Sequence, residues 1–277
     1  MKATVESLAR ALLVLALACP PGSAAGQDPK PPDDDPPVGK GRFILYEDFE
    51  NVGPGQAPKG FQKNGKVGVA ADAAHSGRQS LRIEAEANGP RRITLATKDI
   101  MTQLGGQHWG RLYFKVQQPS PQPENGVIHS TLVAGSAKSP LPGKDGIEVR
   151  VLDTVMNNKG EYQYLYNVQT QKRGEFGKGG GYKSKFTDEW TLAEWSIDYA
   201  TQTYRLFINE KEVTDVAFSK GAGKYEGSEI PEVFESLSFG WNNYQNAGKG
   251  FVAWIDDIAL AKERIGNRGI PVPKKKS

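Results

Sequence analysis

A long series of short apolar runs, each of strand length and separated by turn residues, constrains this chain more than any other feature. The runs lie at Phe43–Glu50, Lys66–Ala71, Ser80–Glu86, Arg91–Thr97, Arg111–Gln117 and Val127–Ala134. They continue at Ile147–Asp153, Tyr162–Gln169, Leu192–Tyr199, Thr203–Asn209, Glu235–Asn242 and Phe251–Ala261. None sustains a 3.6-residue apolar period over a dozen positions, so no helix is expected. So many strands in one stretch of this length predict two packed sheets, an all-β jelly-roll sandwich. The 32 glycines and 18 prolines of the 277 residues suit a chain that turns often. Tyr199–Thr203 and Asn209–Glu212 read as tight hairpin links within one meander.

The flanks read differently. Lys2 and Arg10 border an apolar stretch, Ala11–Ala18, of the length of a signal-peptide core and too short to span a bilayer. Residues 1–25 are therefore expected to be a signal peptide. Ser23-Ala24-Ala25 offers a cleavage site before Gly26, and Leu15–Cys19 offers a lipobox in which the chain's single cysteine, Cys19, would carry a lipid anchor. Simple secretion is the favoured exit, since Ala16 and Pro20 both sit awkwardly in a lipobox. Residues 26–41 form a Pro/Asp-rich linker, too polar to pack. The domain is expected over residues 42–265, and residues 266–277 form a basic disordered tail ending Lys274-Lys275-Lys276. A secreted, periplasmic or cell-surface protein is expected, without a membrane span and monomeric. The formal charge of +3, with no basic stripe before the tail, is too weak to imply nucleic acid, and no nucleic-acid partner is expected.

Acidic residues interrupt the first and last strands: Glu47-Asp48-Phe49-Glu50 and Trp254-Ile255-Asp256-Asp257-Ile258. A carboxylate in a buried strand needs a cation, a hydrogen-bond network or a metal. Alternation places Asp256 with Trp254, Ile258 and Leu260, and Asp257 with Ala253 and Ile255. The turn His75–Ser80 follows the first strands and could add carbonyl ligands. Oxygen donors from distant segments suit a structural calcium. The plainer reading is that these acids cap turns or pair with Arg78 and Arg82.

Polar residues also stand mid-strand in Val127-Ile128-His129 and Ile147-Glu148-Val149-Arg150. A curved sheet could gather them in a groove; a solvated Glu148–Arg150 face explains them equally well. The row Tyr162-Gln163-Tyr164-Leu165-Tyr166 offers rings that stack on sugars or fill a core. Phe239-Gly240-Trp241-Asn242-Asn243-Tyr244 ends a strand in aromatics and amides. No Gly-x-Ser-x-Gly, CxxC, HExxH or phosphate loop is present, and the paired carboxylates of a sandwich-type retaining glycosidase are missing.

Taken in order, Asp48-Phe49-Glu50, His75-Ser76-Gly77, His129, Arg150, Phe239-Gly240-Trp241-x-x-Tyr244 and Trp254–Ile258 resemble a known family. It comprises the secreted cellulose-induced fungal proteins and their bacterial relatives, concanavalin A-like jelly rolls related to glucuronan lyases. The resemblance covers most of Asp48–Ile265. It implies a calcium site at Glu50, Ser76, Gln79 and Asp256, and a groove at His129, Arg150, Gln163 and Tyr244. Related alginate-lyase-type sandwiches carry Gln-Ile-His where this chain has Val127-Ile128-His129. Neutralising a substrate carboxylate then falls to Arg150 with Gln163 or Asn242.

The function expected is a secreted carbohydrate-active protein, a polysaccharide lyase acting on uronate-containing glycans by β-elimination. His129, Arg150 and Tyr244 would carry the chemistry, with Gln163, Tyr164, Trp241 and Asn242 binding the polysaccharide. A tyrosine acts there as base and then acid if positive charge lowers its pKa. The alternatives are a non-catalytic glycan-binding module and a surface lipoprotein without a ligand. A lyase requires His129, Arg150 and Tyr244 to converge on one sugar, whereas a binder requires exposed ring faces.

Overall fold

A computed structural model describes residues 43–120, 122–123, 126–139, 145–168, 177, 179–217, 230–246 and 250–267. The expected signal peptide and linker, Cys19, the last ten residues, residues 140–144 and most of 169–178 lie outside these described residues. Among the described residues no helix is long and apolar enough to cross a membrane.

The strands in chain order are β1 (Leu45–Glu47), β2 (Phe61–Asn64), β3 (Val67–Ala70), β4 (Ser80–Ile83), β5 (Gly89–Ala96), β6 (Gln107–Val116), β7 (Val127–Ala137) and β8 (Ile147–Asn157). They continue with β9 (Glu161–Val168), β10 (Ser184–Lys185), β11 (Thr191–Asp198), β12 (Thr203–Ile208), β13 (Lys211–Glu212), β14 (Ser236–Asn243) and β15 (Ala253–Ala261). Two antiparallel sheets stack as a jelly-roll sandwich. One is eight-stranded in the order β13-β12-β11-β6-β15-β4-β3 with β1 on β15; the other is seven-stranded in the order β10-β9-β8-β7-β14-β5-β2.

Every run read from the sequence is a strand, and the additions are short. The segment β2 carries one apolar residue, Phe61, which packs on Phe239 at 6.4 Å. The pairs at β10 and β13 are two residues long. One helix, α1 (Lys98–Leu104), departs from the all-strand expectation. Seven residues are too few to show a period, and only Met101 and Leu104 are buried.

The inner faces meet in one apolar core. One of its two tryptophans, Trp195 on β11, lies over Gly110 of β6, where a Cβ would come within 2.1 Å of the indole. Below it runs a chain of hydrogen bonds. Trp195 Nε1–H donates to His108 Nε2 (3.1 Å), whose Nδ1 meets the Tyr199 hydroxyl (2.9 Å), and Tyr199 reaches Met101 Sδ (3.6 Å). Each polar group of this buried chain is thereby satisfied with His108 neutral.

Candidate functional site

The outer face of the seven-stranded sheet carries the polar residues expected of a groove. On β8, Val149 and Val151 point into the core, so Glu148 and Arg150 point outward. A register shift between Arg150 and Asp153 lets Val151 and Leu152 both join the core. The extra residue turns Asp153 to the same side as Arg150, and the two form an ion pair (3.8 Å). From β7, Thr131 donates to Asp153 Oδ1 (2.6 Å). From the end of β14, Tyr244 lies over Arg150, its ring centroid 3.9 Å from the guanidinium carbon. Its hydroxyl meets Thr131 Oγ1 (3.1 Å) and donates to Glu148 Oε1 (3.1 Å). Arg92, crossing from β5, holds Glu148 Oε2 at 3.2 Å.

The cluster is nearly closed. Arg150 is 6% exposed and Asp153 fully buried, so the two charges stabilise each other out of water. Arg92 and Glu148 keep about a fifth of their side chains in solvent, at 22% each. Burial raises the Tyr244 hydroxyl above its ordinary value; Arg150 opposes this, and Glu148 and Asp153 add to it. The expected lowering by positive charge is therefore outweighed, and Tyr244 rests as a phenol.

His129 is half-buried on β7 and tied to Tyr244 through the main chain. Its carbonyl accepts from Tyr244 N–H (3.1 Å), and its own N–H donates to Gln245 Oε1 (2.6 Å). Asn242 faces the same side, paired with Thr131. Gln163, on β9 opposite Val155, shares none of the cluster's hydrogen bonds. Its Oε1 is buried without a partner in a small cavity of about 50 Å³ shared with Gly177, Lys183, Ser184 and Asp215. A larger cavity of about 540 Å³, lined by Lys138, Tyr199, Gln202, Ile230 and Glu232, contains none of these residues.

Two expected sugar-binding rings are corrected. Tyr164 is 7% exposed and points into the core, its hydroxyl on Tyr162 (3.0 Å). Trp241 is 1% exposed, edge-on to Phe251 at 4.9 Å, with Nε1–H donating to Asn243 Oδ1 (2.9 Å). Alternation puts both on the inner face, so neither ring can stack on a sugar. The reading from sequence missed Arg92, Thr131 and Asp153. Thr131 sat two residues from His129, the one signal available. Arg92 reaches the cluster through cross-strand geometry, and Asp153 through the register shift within β8.

The outer face of the eight-stranded sheet carries the acids of the first and last strands. Asp256 and Asp257 are both fully buried. Asp256 Oδ2 accepts from the main-chain N–H of His75 (2.8 Å) and Ser76 (3.2 Å). Asp257 accepts from Tyr46 (2.6 Å), Ser76 Oγ (2.8 Å) and the His75 ring (2.6 Å), which stacks on Tyr113 at 3.5 Å. Burial, with Asp257 alongside, pushes Asp256 up to about 8. Burial acts on Asp257 too, but its His75, Tyr46 and Ser76 hydrogen bonds outweigh it and hold the carboxyl low.

The assignment of faces along this strand needs correction. A register shift between Asp256 and Ala259, with Asp257 at φ 50°, switches the alternation: Ala253, Ile255, Ile258 and Leu260 all enter the core. Asp256 therefore does not share a face with Ile258 and Leu260.

Glu50 meets the same turn from the other side. Its Oε1 accepts from Arg78 N–H (2.8 Å) and Gln79 N–H (3.0 Å), with Arg78 Nε 3.5 Å from Oε2. The Gln79 amide nitrogen donates to the carbonyls of Phe49 (2.6 Å) and Val52 (2.9 Å). Gly77, at φ 64°, is required there, because a Cβ would strike the Glu50 carboxyl at 2.4 Å. Among the described residues no three His, Cys, Asp or Glu side chains gather as a metal group. The donors present, two carboxylates with the main-chain and amide oxygens of one turn, are the hard oxygens that calcium takes.

No family model matches the chain, and no curated protein matches it in sequence. Among solved structures the chain is similar to "Cellulose induced protein, Cip1", with a TM-score of 0.51 and 16% identity over 80% of this chain and 99% of that one. It is also similar to an endo-β-1,4-glucuronan lyase from the fungus Trichoderma reesei, with a TM-score of 0.51 and 13% identity over 80% of this chain and 96% of that one. At these identities the likeness establishes a shared jelly-roll fold.

Proposed function

We propose that this chain is a secreted carbohydrate-active protein, a polysaccharide lyase cleaving uronate-containing glycans by β-elimination. The observation that carries the reading is the Arg150 cluster: guanidinium, phenol and two carboxylates meet on one sheet face, with His129 beside them. The glucuronan lyase among the similar structures supports it as a likeness of fold.

In the proposed reaction the proton next to a uronate carboxylate is removed and the glycosidic oxygen leaves. That proton is acidic enough only when the carboxylate's charge is neutralised. Arg150 supplies the positive charge, held in place by Asp153. Proton transfer falls to His129 and Tyr244, the latter starting as a phenol.

A structural calcium at Glu50, Ser76, Gln79 and Asp256 belongs to the same proposal; it would hold the first and last strands to the turn at 75–79. Residues 1–25 act as the export signal in this reading, and mass analysis of the mature chain distinguishes a start at Gly26 from a lipid on Cys19.

One observation favours a glycan-binding module instead. The charges of Arg92, Glu148, Arg150 and Asp153 cancel, and Arg150 is 6% exposed. Ultraviolet absorbance of the unsaturated uronate product separates the two, using glucuronan, alginate, pectate and glucuronoxylan as substrates with calcium present. A rising signal lost in Tyr244→Phe and His129→Ala is the expected result. A flat signal on all four, with retention on a glycan affinity gel, leaves the binding module.

A further inference from the structure

Tyr244 has one proton and two acceptors. Thr131 spends its own hydroxyl proton on Asp153 Oδ1 at 2.6 Å, so toward Tyr244 it can only accept. The other acceptor is Glu148 Oε1, an anionic oxygen at 3.1 Å. Arg92 Nη1 holds the second oxygen of that carboxylate at 3.2 Å, which leaves Oε1 turned to the phenol. A hydroxyl that donates to a carboxylate directs its lone pairs away from that contact. The Arg150 guanidinium under the ring, 3.9 Å from its centroid, favours any negative charge that develops on it.

From this arrangement we infer that Glu148 stores the phenolic proton of Tyr244, so that one tyrosine serves first as base and then as acid. The inference rests on the elimination reading. The C–H bond beside the uronate carboxylate breaks and its proton bonds to Tyr244 Oη, while the original phenolic proton bonds to Glu148 Oε1. The C–H electron pair becomes the new C=C bond, and the glycosidic C–O bond breaks with its electrons on oxygen. That oxygen takes the proton from Tyr244, and Glu148 returns its stored proton to the phenol. No oxidant or co-reactant is needed.

Glu148 acts through Tyr244 and is a positioning residue. The groups that set its charge are Arg92 from β5, Tyr244 from β14, Arg150 two residues along its own strand and Asp153 beyond it; its neighbour on β7, Ser136, is neutral. The stored-proton route requires Glu148 ionised, so kcat must fall on the acid side as Glu148 protonates.

The test is a pH profile of lyase activity on the glycan that the wild type cleaves, using full-length mature protein. Glu148→Gln is expected to lower kcat about 10²-fold with KM little changed, and to lose the acid limb. Arg92→Met is expected to move that limb to higher pH, since removing a nearby cation favours the protonated acid. Glu148→Ala is expected to regain activity with added formate. A wild type inactive on all four glycans overturns both the lyase reading and the relay. An active wild type with a near-normal Glu148→Gln overturns the relay alone. So does a slow Glu148→Gln that keeps the acid limb, with no formate rescue of Glu148→Ala.

Discussion

The two outer faces of this sandwich solve the same problem in opposite ways. Each sheet carries a buried carboxylate beside a register shift, Asp153 on β8 and the Asp256–Asp257 pair on β15. On the seven-stranded sheet each acid meets a guanidinium: Asp153 with Arg150, Glu148 with Arg92. On the eight-stranded sheet two adjacent carboxylates are held by main-chain amides, hydroxyls and one imidazole. The first cluster is neutral as built. In the second, burial pushes Asp256 up to about 8 while hydrogen bonds hold Asp257 low, so the two adjacent carboxyls differ in their hold on a proton. One face is thus held by ion pairs, whereas the other is held by hydrogen bonds to a shared turn.

The comparison breaks most visibly at Asp153. Replacing it with alanine leaves Arg150 buried without its counter-charge, and about 3–5 kcal/mol of stability is expected to go. Urea unfolding measures this; a loss below about 1 kcal/mol means that the pair is solvated and the cluster is not closed. Calcium sharpens the other half. At a hundredfold excess over its Kd it is expected to stabilise the wild type by about 2.7 kcal/mol. Thermal unfolding should show the gain in Arg150→Met but not in Glu50→Gln. An unchanged midpoint in the wild type makes the acid pair a purely hydrogen-bonded support.

A third group has to be separated before acid scans of either face are interpreted. Burial pushes His108 down to about 3, so the unfolded chain takes up a proton that the folded one refuses. Its contribution is whole above about pH 6.5. It is lost as pH falls from there toward 3, by at most about 1.4 kcal/mol per pH unit. His108→Gln is expected to flatten the stability curve over that window. A variant curve as steep as the wild type's shifts the effect to the carboxylates.

How much of this was legible depends on whether local alternation held. It placed Val149 and Arg150 on opposite sides correctly, because nothing interrupts β8 before Arg150. It failed at Asp256, where a left-handed Asp257 inserts one residue and switches every later side chain to the other face. Tyr164 and Trp241 were legible as aromatic but not as buried, since a period-two row looks the same from either face of a sheet. Arg92 gave no local signal: only the order β8-β7-β14-β5 brings it to Glu148.

The sequence by itself determined the architecture. Strand-length apolar runs, with too few helical periods to compete, leave two stacked sheets as the way to bury them. It also named the residues of both acidic ends and the three of the proposed reaction. Tertiary structure alone decided which of them touch, which face each register shift exposes, and which charges meet a partner. These outcomes depend on strands distant in the chain, on a single inserted residue, and on burial that raises or lowers a proton's affinity only once the sheets have closed.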